Sequence, residues 1–210
     1  MKVVRESNEN EVVLNFLTGE LQSERFNIKL KKTLKDLKTT EQIITKPNLN
    51  NQKENNLRKE VLGKFRGYGK NVDLFENFPN IESYTLCDFS IEDFKNIYYI
   101  NYSYWNELSN NTHSPIEAAK NIENNIEVYN VSNQPFIDGK NILEKNKTFL
   151  PMILLTHDYK SFVVLEGHSR ITVYALNPQY FKNVKCYVLK CSKEELEKWA
   201  DKIFELMFFE

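Results

Sequence analysis

Cysteine is scarce in this chain of 210 residues: Cys87, Cys186 and Cys191 are the only three. Three irregularly spaced cysteines cannot make a disulfide framework. The Cys186/Cys191 pair has no nearby histidine or second cysteine pair of the kind a zinc site needs. A reducing cytoplasm suits this usage. An apolar signal core is missing from Met1-Lys2-Val3-Val4-Arg5-Glu6, and no run reaches the ~20 apolar residues needed to span a bilayer. These absences predict a cytoplasmic protein with no membrane partner. The stretch from Ile203 to Phe209 is apolar but short, and reads as a packed terminal helix. An excess of either charge is missing too. The 28 Lys and Arg stand against 29 Asp and Glu, a formal net charge of −1. That excludes a generally basic nucleic-acid binder and leaves room only for a local patch.

What is present suits one domain, or one domain with an added lobe. Hydrophobic residues make up 41% of the chain, enough for a core, and aromatics 13%. Asparagine is abundant but lies between ordinary apolar patterns, which argues for coding bias and against a prion-like tract. No internal repeat is visible.

The first part reads as helical. Val12, Val13, Phe16 and Leu17 share one side of a helix over 9–17, ended by Thr18-Gly19. Ser23 can cap a second helix with Phe26, Leu30, Leu34 and Leu37 on one face. Lys29, Lys31, Lys32, Lys35 and Lys38 occupy much of the remainder, as a solvated face or as a patch for nucleic acid or an acidic partner. Periodicity is lost from Thr39 to Asn51. A third helix starts near Gln52 and runs into Arg66-Gly67-Tyr68-Gly69. Two glycines around an aromatic can let backbone approach a ligand, or can simply stop the helix and turn the chain. Glycine-rich nucleotide fingerprints are absent here.

Further on, Ser90 and Asp93 suit a helix start. Residues 97–105 favour a strand by their β-branched and aromatic content, with a helix through Trp105 and Leu108 as the alternative. Such aromatics serve a core or a base-stacking platform. Ser114-Pro115-Ile116-Glu117 begins a helix, with Ile116, Ala119, Ile122 and Ile126 as its apolar stripe. Phe136 to Lys145 suits another. Pro151–Thr156 and Ser161–Leu165 read as paired strands and Lys185–Lys190 as a third. Ser192 and Glu195 form a capping box for a last helix through Leu196, Trp199, Ile203 and Leu206. The fold class is α+β: a mainly helical region over 1–148, and a small sheet with flanking helices over 149–210, together one compact unit.

Five adjacent residues carry the densest chemistry. Glu166, Gly167, His168, Ser169 and Arg170 sit where an apolar strand turns into a helix. The helix start offers backbone N–H groups and the positive end of the dipole. Gly167 permits close approach of an oxyanion, Ser169 can cap the helix or donate to a phosphate, and Arg170 offers paired donors matched to phosphate. His168 can bind phosphate or carry a proton, and Glu166 can orient it, act as a base or hold a metal-bound water. The spacing equally permits a tight turn in which Arg170 pairs with Glu166 and His168 is an ordinary turn residue. His113 and His157 have no partner close in sequence.

The order strand, E-G-H-S-R, helix, strand resembles the ParB/sulfiredoxin superfamily, over about residues 149–190. Gly167, His168, Ser169 and Arg170 match its phosphate turn, with Val173 where alanine is usual. The resemblance implies a ParB/sulfiredoxin-like sheet and a nucleotide (ATP, ADP or CTP) with Mg²⁺. Partition proteins of that group bind and hydrolyse CTP, sulfiredoxins use ATP, and some relatives phosphorylate free serine. Sulfiredoxin chemistry needs a cysteine where Gly167 stands. Partition proteins follow the turn with E-N-x-x-R and a helix-turn-helix, for which the stretch after Arg170 is too short; Glu54-Asn55-Asn56-Leu57-Arg58 precedes the turn.

The resulting expectation is a nucleotide-phosphate-binding protein, with phosphoryl transfer or nucleotide hydrolysis as its chemistry if it is an enzyme. Glu166 and His168 are the catalytic candidates. Phosphate contacts fall to Gly167, His168, Ser169 and Arg170, with Arg66, Gly67, Tyr68 and Gly69 closing over the ligand; no protein metal site is called. The alternative is a non-enzymatic interaction module of phage defence or gene regulation with a protein partner. A third reading is a nucleic-acid binder or nuclease using the lysine face and the aromatics.

Overall fold

Two apolar runs, Met-Ile-Leu-Leu-Thr and Phe-Val-Val-Leu-Glu, form adjacent inner strands of the sheet, and both are almost wholly buried. A computed structural model describes residues 1–145 and 148–200. Along them run β1 (Lys2–Glu6), α1 (Glu9–Gln22), α2 (Asn27–Asp36), α3 (Gln42–Thr45) and α4 (Gln52–Arg66). Then come β2 (Ser83–Phe89), α5 (Ile91–Phe94), β3 (Ile97–Tyr98), α6 (Ser103–Leu108), α7 (Pro115–Glu123) and α8 (Gln134–Glu144). The last elements are β4 (Met152–Thr156), β5 (Phe162–Glu166), α9 (His168–Leu176), β6 (Val184–Lys190) and α10 (Lys193–Ala200). The fold is α+β.

The backbone divides into two compact units: Met1–Glu6 with Asn80 onward, and Ser7–Pro79. The division does not follow the expected 148/149 boundary. The reason is strand pairing. Three of the six strands come from before residue 149, and the sheet order is β1-β2-β6-β4-β5-β3. β1 and β2 pair antiparallel, as do β2 and β6; β6 lies parallel to β4, β4 antiparallel to β5, and β5 parallel to β3. The β4–β5 hairpin and β6 agree with expectation. β1 and β2 do not announce themselves, because β1 is exposed along its whole length and has no apolar alternation to read.

Side chains alternate across the sheet. Met152, Leu154, Phe162, Val164, Cys186 and Val188 point to one face, where they share a core with residues of α5 to α9. The intervening Ile153, Leu155, Val163 and Leu165 are equally buried, and α10 packs against β4. Strands buried on both faces read as continuous apolar runs, which is why these two were legible. Cys87 and Cys186 stand opposite each other across β2 and β6. Both are buried free thiols whose pKa burial pushes up, so neither is a ready nucleophile.

Ser7–Pro79 is a helical unit. Its core gathers Val13, Phe16 and Leu17 of α1, Leu30 and Leu34 of α2, and Leu62 and Phe65 of α4. α1 runs through Thr18-Gly19 to Gln22, past the expected stop, since that turn stays hydrogen-bonded and its Thr18 hydroxyl caps Leu14 O at 2.8 Å. Asn55 and Arg58 are buried beneath the 43–48 segment. Arg58 donates to Ile43 O at 2.7 Å and Asn48 O at 3.3 Å, pairs with Glu54 at 3.2 Å, and also meets Asn55 Oδ1. The E-N-x-x-R sequence is therefore a staple holding a loop to α4.

In the other unit, residues 97–105 split between the two expectations: only Ile97–Tyr98 is strand, and α6 takes Tyr104 and Trp105. α7 begins at Pro115 with Ser114 capping Ile116 N–H at 3.2 Å, as expected. Its buried face is Ala118, Ala119 and Ile122, while Ile116 and Ile126 are exposed. Small residues are chosen there because α7 lies on α9. Ser192 caps α10, with Glu195 N–H donating to Ser192 Oγ at 3.3 Å and that hydroxyl donating to the Glu195 carboxylate at 3.1 Å. The expected continuation through Ile203 and Leu206, and the terminal apolar stretch to Phe209, lie outside the described residues.

α8 crosses α9 at a glycine. A Cβ on Gly139 would come 2.5 Å from Val173 Cγ2. Alanine in mid-helix ordinarily stabilises by ~1 kcal/mol over glycine. Here that gain is outweighed by steric overlap on a branched side chain. Gly139→Ala is expected to lower the thermal midpoint, and Gly139→Ala with Val173→Ala to recover part of the loss; a rise in the single variant would refute the packing argument.

Candidate functional site

β5 ends at Glu166, and α9 begins two residues later. Between them Gly167 adopts φ +109°, in the left-handed region that favours glycine. Its carbonyl accepts the first helical bond, from Ile171 N–H at 2.9 Å. A Cβ at this position would lie 2.7 Å from Met152 Cγ and 3.4 Å from Arg170 Cζ. Both the backbone conformation and the space require glycine.

Arg170 folds back over that glycine. Its Nη1 donates to Leu150 O at 2.7 Å and Pro151 O at 2.9 Å, and its Nη2 pairs with the Glu166 carboxylate. The two side chains are only 14% and 17% exposed. A cation so enclosed needs this set of acceptors to offset its lost hydration. The same bonds direct its planar fork at the chain entering β4. Of the alternatives open from sequence, the Glu166–Arg170 pair is the one present.

His168 faces the aromatics of another part of the chain. Its ring stacks on Trp105 at 5.2 Å between centroids and 18° between planes, and on Tyr99 at 6.0 Å and 21°. Trp105 stacks on Tyr99 at 4.7 Å. The Tyr99 hydroxyl lies 2.7 Å from Thr172 Oγ1, which donates to His168 O at 2.8 Å. Tyr99 is fully buried, and desolvation pushes its phenol well above the ordinary range. Ser169 stands at the exposed edge of the helix start. The turn therefore divides its residues. Glu166 and Arg170 face inward, His168 is half-buried in a ring stack, and Ser169 meets solvent.

Tyr99, Trp105 and Thr172 are the members of this site that sequence reasoning did not assign to it. Residues 97–105 are conspicuously aromatic, but nothing in linear spacing joins them to His168.

Arg66-Gly67-Tyr68-Gly69 belongs to the helical unit and works there as the end of α4. Gly67 has φ +89° and donates its N–H to Gly63 O at 3.0 Å; a Cβ on it would lie 2.1 Å from Val72 O. The Tyr68 hydroxyl donates to the Glu9 carboxylate, and its ring meets Phe75 edge-on at 5.0 Å. Arg66 Nε lies 3.6 Å from Glu20, and its guanidinium sits 4.8 Å over the Phe26 ring. The first glycine serves the turn, and Tyr68 fastens it to α1.

Strain gathers between α6 and α7, where Asn110, Asn111 and His113 have φ of 53°, 61° and 56°. Each such residue costs roughly 1–3 kcal/mol in backbone energy. His113 O holds Tyr99 N–H at 2.8 Å, which fixes the strand end beneath the ring stack. No family model, curated protein or solved structure matches the chain.

The His113 ring is buried, and among the described residues its Nδ1 has no hydrogen-bond partner. Desolvation holds its pKa below the ordinary imidazole value. The unfolded chain therefore binds more protons than the folded one as pH falls through the region of 6.5, so stability is lost toward acid. His113→Asn, which tolerates positive φ, should flatten the fall in urea midpoint between pH 7.5 and pH 5; an unchanged slope would show that His113 does not contribute.

Proposed function

We propose that the Gly167 turn binds the phosphate of a nucleotide. The observation that carries this reading is the left-handed Gly167 at the start of α9, with Ser169 at the solvent edge of the same helical turn. A helix start of this kind favours an anion through its N–H groups and dipole. The resemblance of Gly167-His168-Ser169-Arg170 to the ParB/sulfiredoxin phosphate turn supports it. In this reading His168 and Ser169 meet the phosphate directly. Arg170 is a positioning residue, since its donors hold Glu166 and the carbonyls before β4. Glu166 spends its carboxylate on that pair, so His168 is the group placed to carry a proton if a phosphoryl group is transferred or hydrolysed. The resemblance implies Mg²⁺ with the phosphates, which would neutralise their charge, and the exposed Ser169 hydroxyl would be an oxygen donor to it.

The Arg170 bonds also favour a second reading, in which the turn is a structural staple of a non-enzymatic module that acts through a protein partner.

Calorimetric titration with ATP, ADP and CTP, each with and without Mg²⁺, distinguishes the two. Binding of at least one nucleotide is expected. Ser169→Glu, which sets a carboxylate at the exposed helix start, should weaken it at least tenfold with little change in thermal midpoint. Arg170→Ala should lower affinity and thermal midpoint together. No binding by any nucleotide, or an unaltered Ser169→Glu titration, removes the first reading and leaves the module.

A further inference from the structure

Residues 7–79 hold 13 Lys and Arg against 10 Asp and Glu, so the near-neutral total conceals a locally basic unit. Its cations are not spread evenly. Arg25 lies 4.9 Å over the Phe26 ring, and Arg66 lies 4.8 Å from the same ring. Phe26 meets Phe65 edge-on at 6.4 Å, and Lys29 Nζ lies 5.3 Å over Phe65. Three cations from two helix ends thus converge on one pair of rings. Cation–π contact places them, but it does not neutralise them.

Acidic compensation is thin. Glu20, almost wholly buried, is the carboxylate beside Arg66, and at 3.6 Å from Nε it is too far for a hydrogen bond. Arg66 Nε is thus ion-paired with Glu20 but, among the described residues, has no hydrogen-bond acceptor. Arg25 and Lys29 are exposed and carry the open charge of the cluster. The positive row continues along α2. Lys32 is one turn beyond Lys29 on the same flank, and Asp36, the next position on it, is already paired with Lys64 at 3.4 Å.

We infer that Arg25, Lys29, Lys32 and Arg66 form a docking row for the phosphodiester backbone of a nucleic acid. Its form separates this ligand from a compact anion. The row advances along α2 instead of closing around one point, so successive phosphates can each meet a cation. The rings hold Arg25, Lys29 and Arg66 in advance, which lowers the entropy cost of ordering them on binding. Phosphate contacts of this kind give affinity without sequence preference. This row lies wholly within residues 7–79 and does not rest on the reading of the Gly167 turn.

Fluorescence anisotropy with a labelled 15-nucleotide RNA, the same DNA single strand and the matching duplex, from 25 to 200 mM salt, tests it on the full chain. Binding to at least one of them is expected, weakening steeply with salt. Arg25→Gln with Lys29→Gln, both exposed positions, should cost at least tenfold at the lowest salt. It should also reduce the slope of log affinity against log salt by about 1.4 for a single strand, from roughly 0.7 per lost phosphate contact. Lys46→Gln with Lys53→Gln, exposed positions of the same unit outside the row, should leave binding within about twofold. No binding at 25 mM salt, equal losses in both double variants, or an unchanged Arg25→Gln/Lys29→Gln protein overturns the inference. So does protection by tripolyphosphate in thermal melts without binding of any oligonucleotide, which would assign the row to a compact anion.

Discussion

A nearly enclosed guanidinium has to spend its donors, and the way Arg170 does so sets the geometry of the sheet-bearing unit. One side chain joins the end of β5, the residues leading into β4 and the first turn of α9. β4 and β5 are adjacent inner strands of the sheet, and α9 is the helix on which α7 and α8 both lie. The bonds to two carbonyls and a carboxylate offset the desolvation that this position imposes. Gly167 between them is obligatory because its φ is +109° and a Cβ there would lie 2.7 Å from Met152 Cγ. Glycine, glutamate and arginine are one device. The features that look like ligand chemistry in the sequence are first the means by which strand, turn and helix are locked together.

The elements that could be read from sequence are those whose evidence is local. β4 and β5 showed as unbroken apolar runs, α7 through Ser114-Pro115, α10 through Ser192 and Glu195, and the end of α4 through Gly67. What escaped depends on partners far along the chain. β1 carries five exposed residues and is a strand only because β2 lies beside it. β2 in turn borrows its place from β6. The aromatic run at 97–105 satisfied both a strand and a helix pattern, and packing divided it between β3 and α6.

The same rule governs the candidate sites. Glu166 and Arg170 are four residues apart around one turn, so their pairing could be foreseen as an alternative. The approach of Tyr99 and Trp105 to His168 could not, because stacking leaves no spacing in the chain. Nor could the convergence of Arg25, Lys29 and Arg66 on two rings, where the sequence shows only a lysine-rich helix and an arginine before a glycine. Glu54 to Arg58, which precede the turn, and Gly67 with Tyr68 make their bonds within their own unit.

The pairing of β1 with β2 bears on the order in which this chain folds. Lys2 lies opposite Asp88 and Glu6 opposite Thr85, with all of Ser7–Pro79 between them in the chain. Joining two strands across an open loop of that length costs several kcal/mol of chain entropy before any contact compensates it. A helical unit whose contacts are mostly between neighbouring elements can form early and convert that open loop into a short, stiff one. β1 would then complete the sheet last. Until it does, β2 presents an unpaired edge whose Tyr84, Leu86 and Phe89 make it the segment most exposed to pairing with another chain.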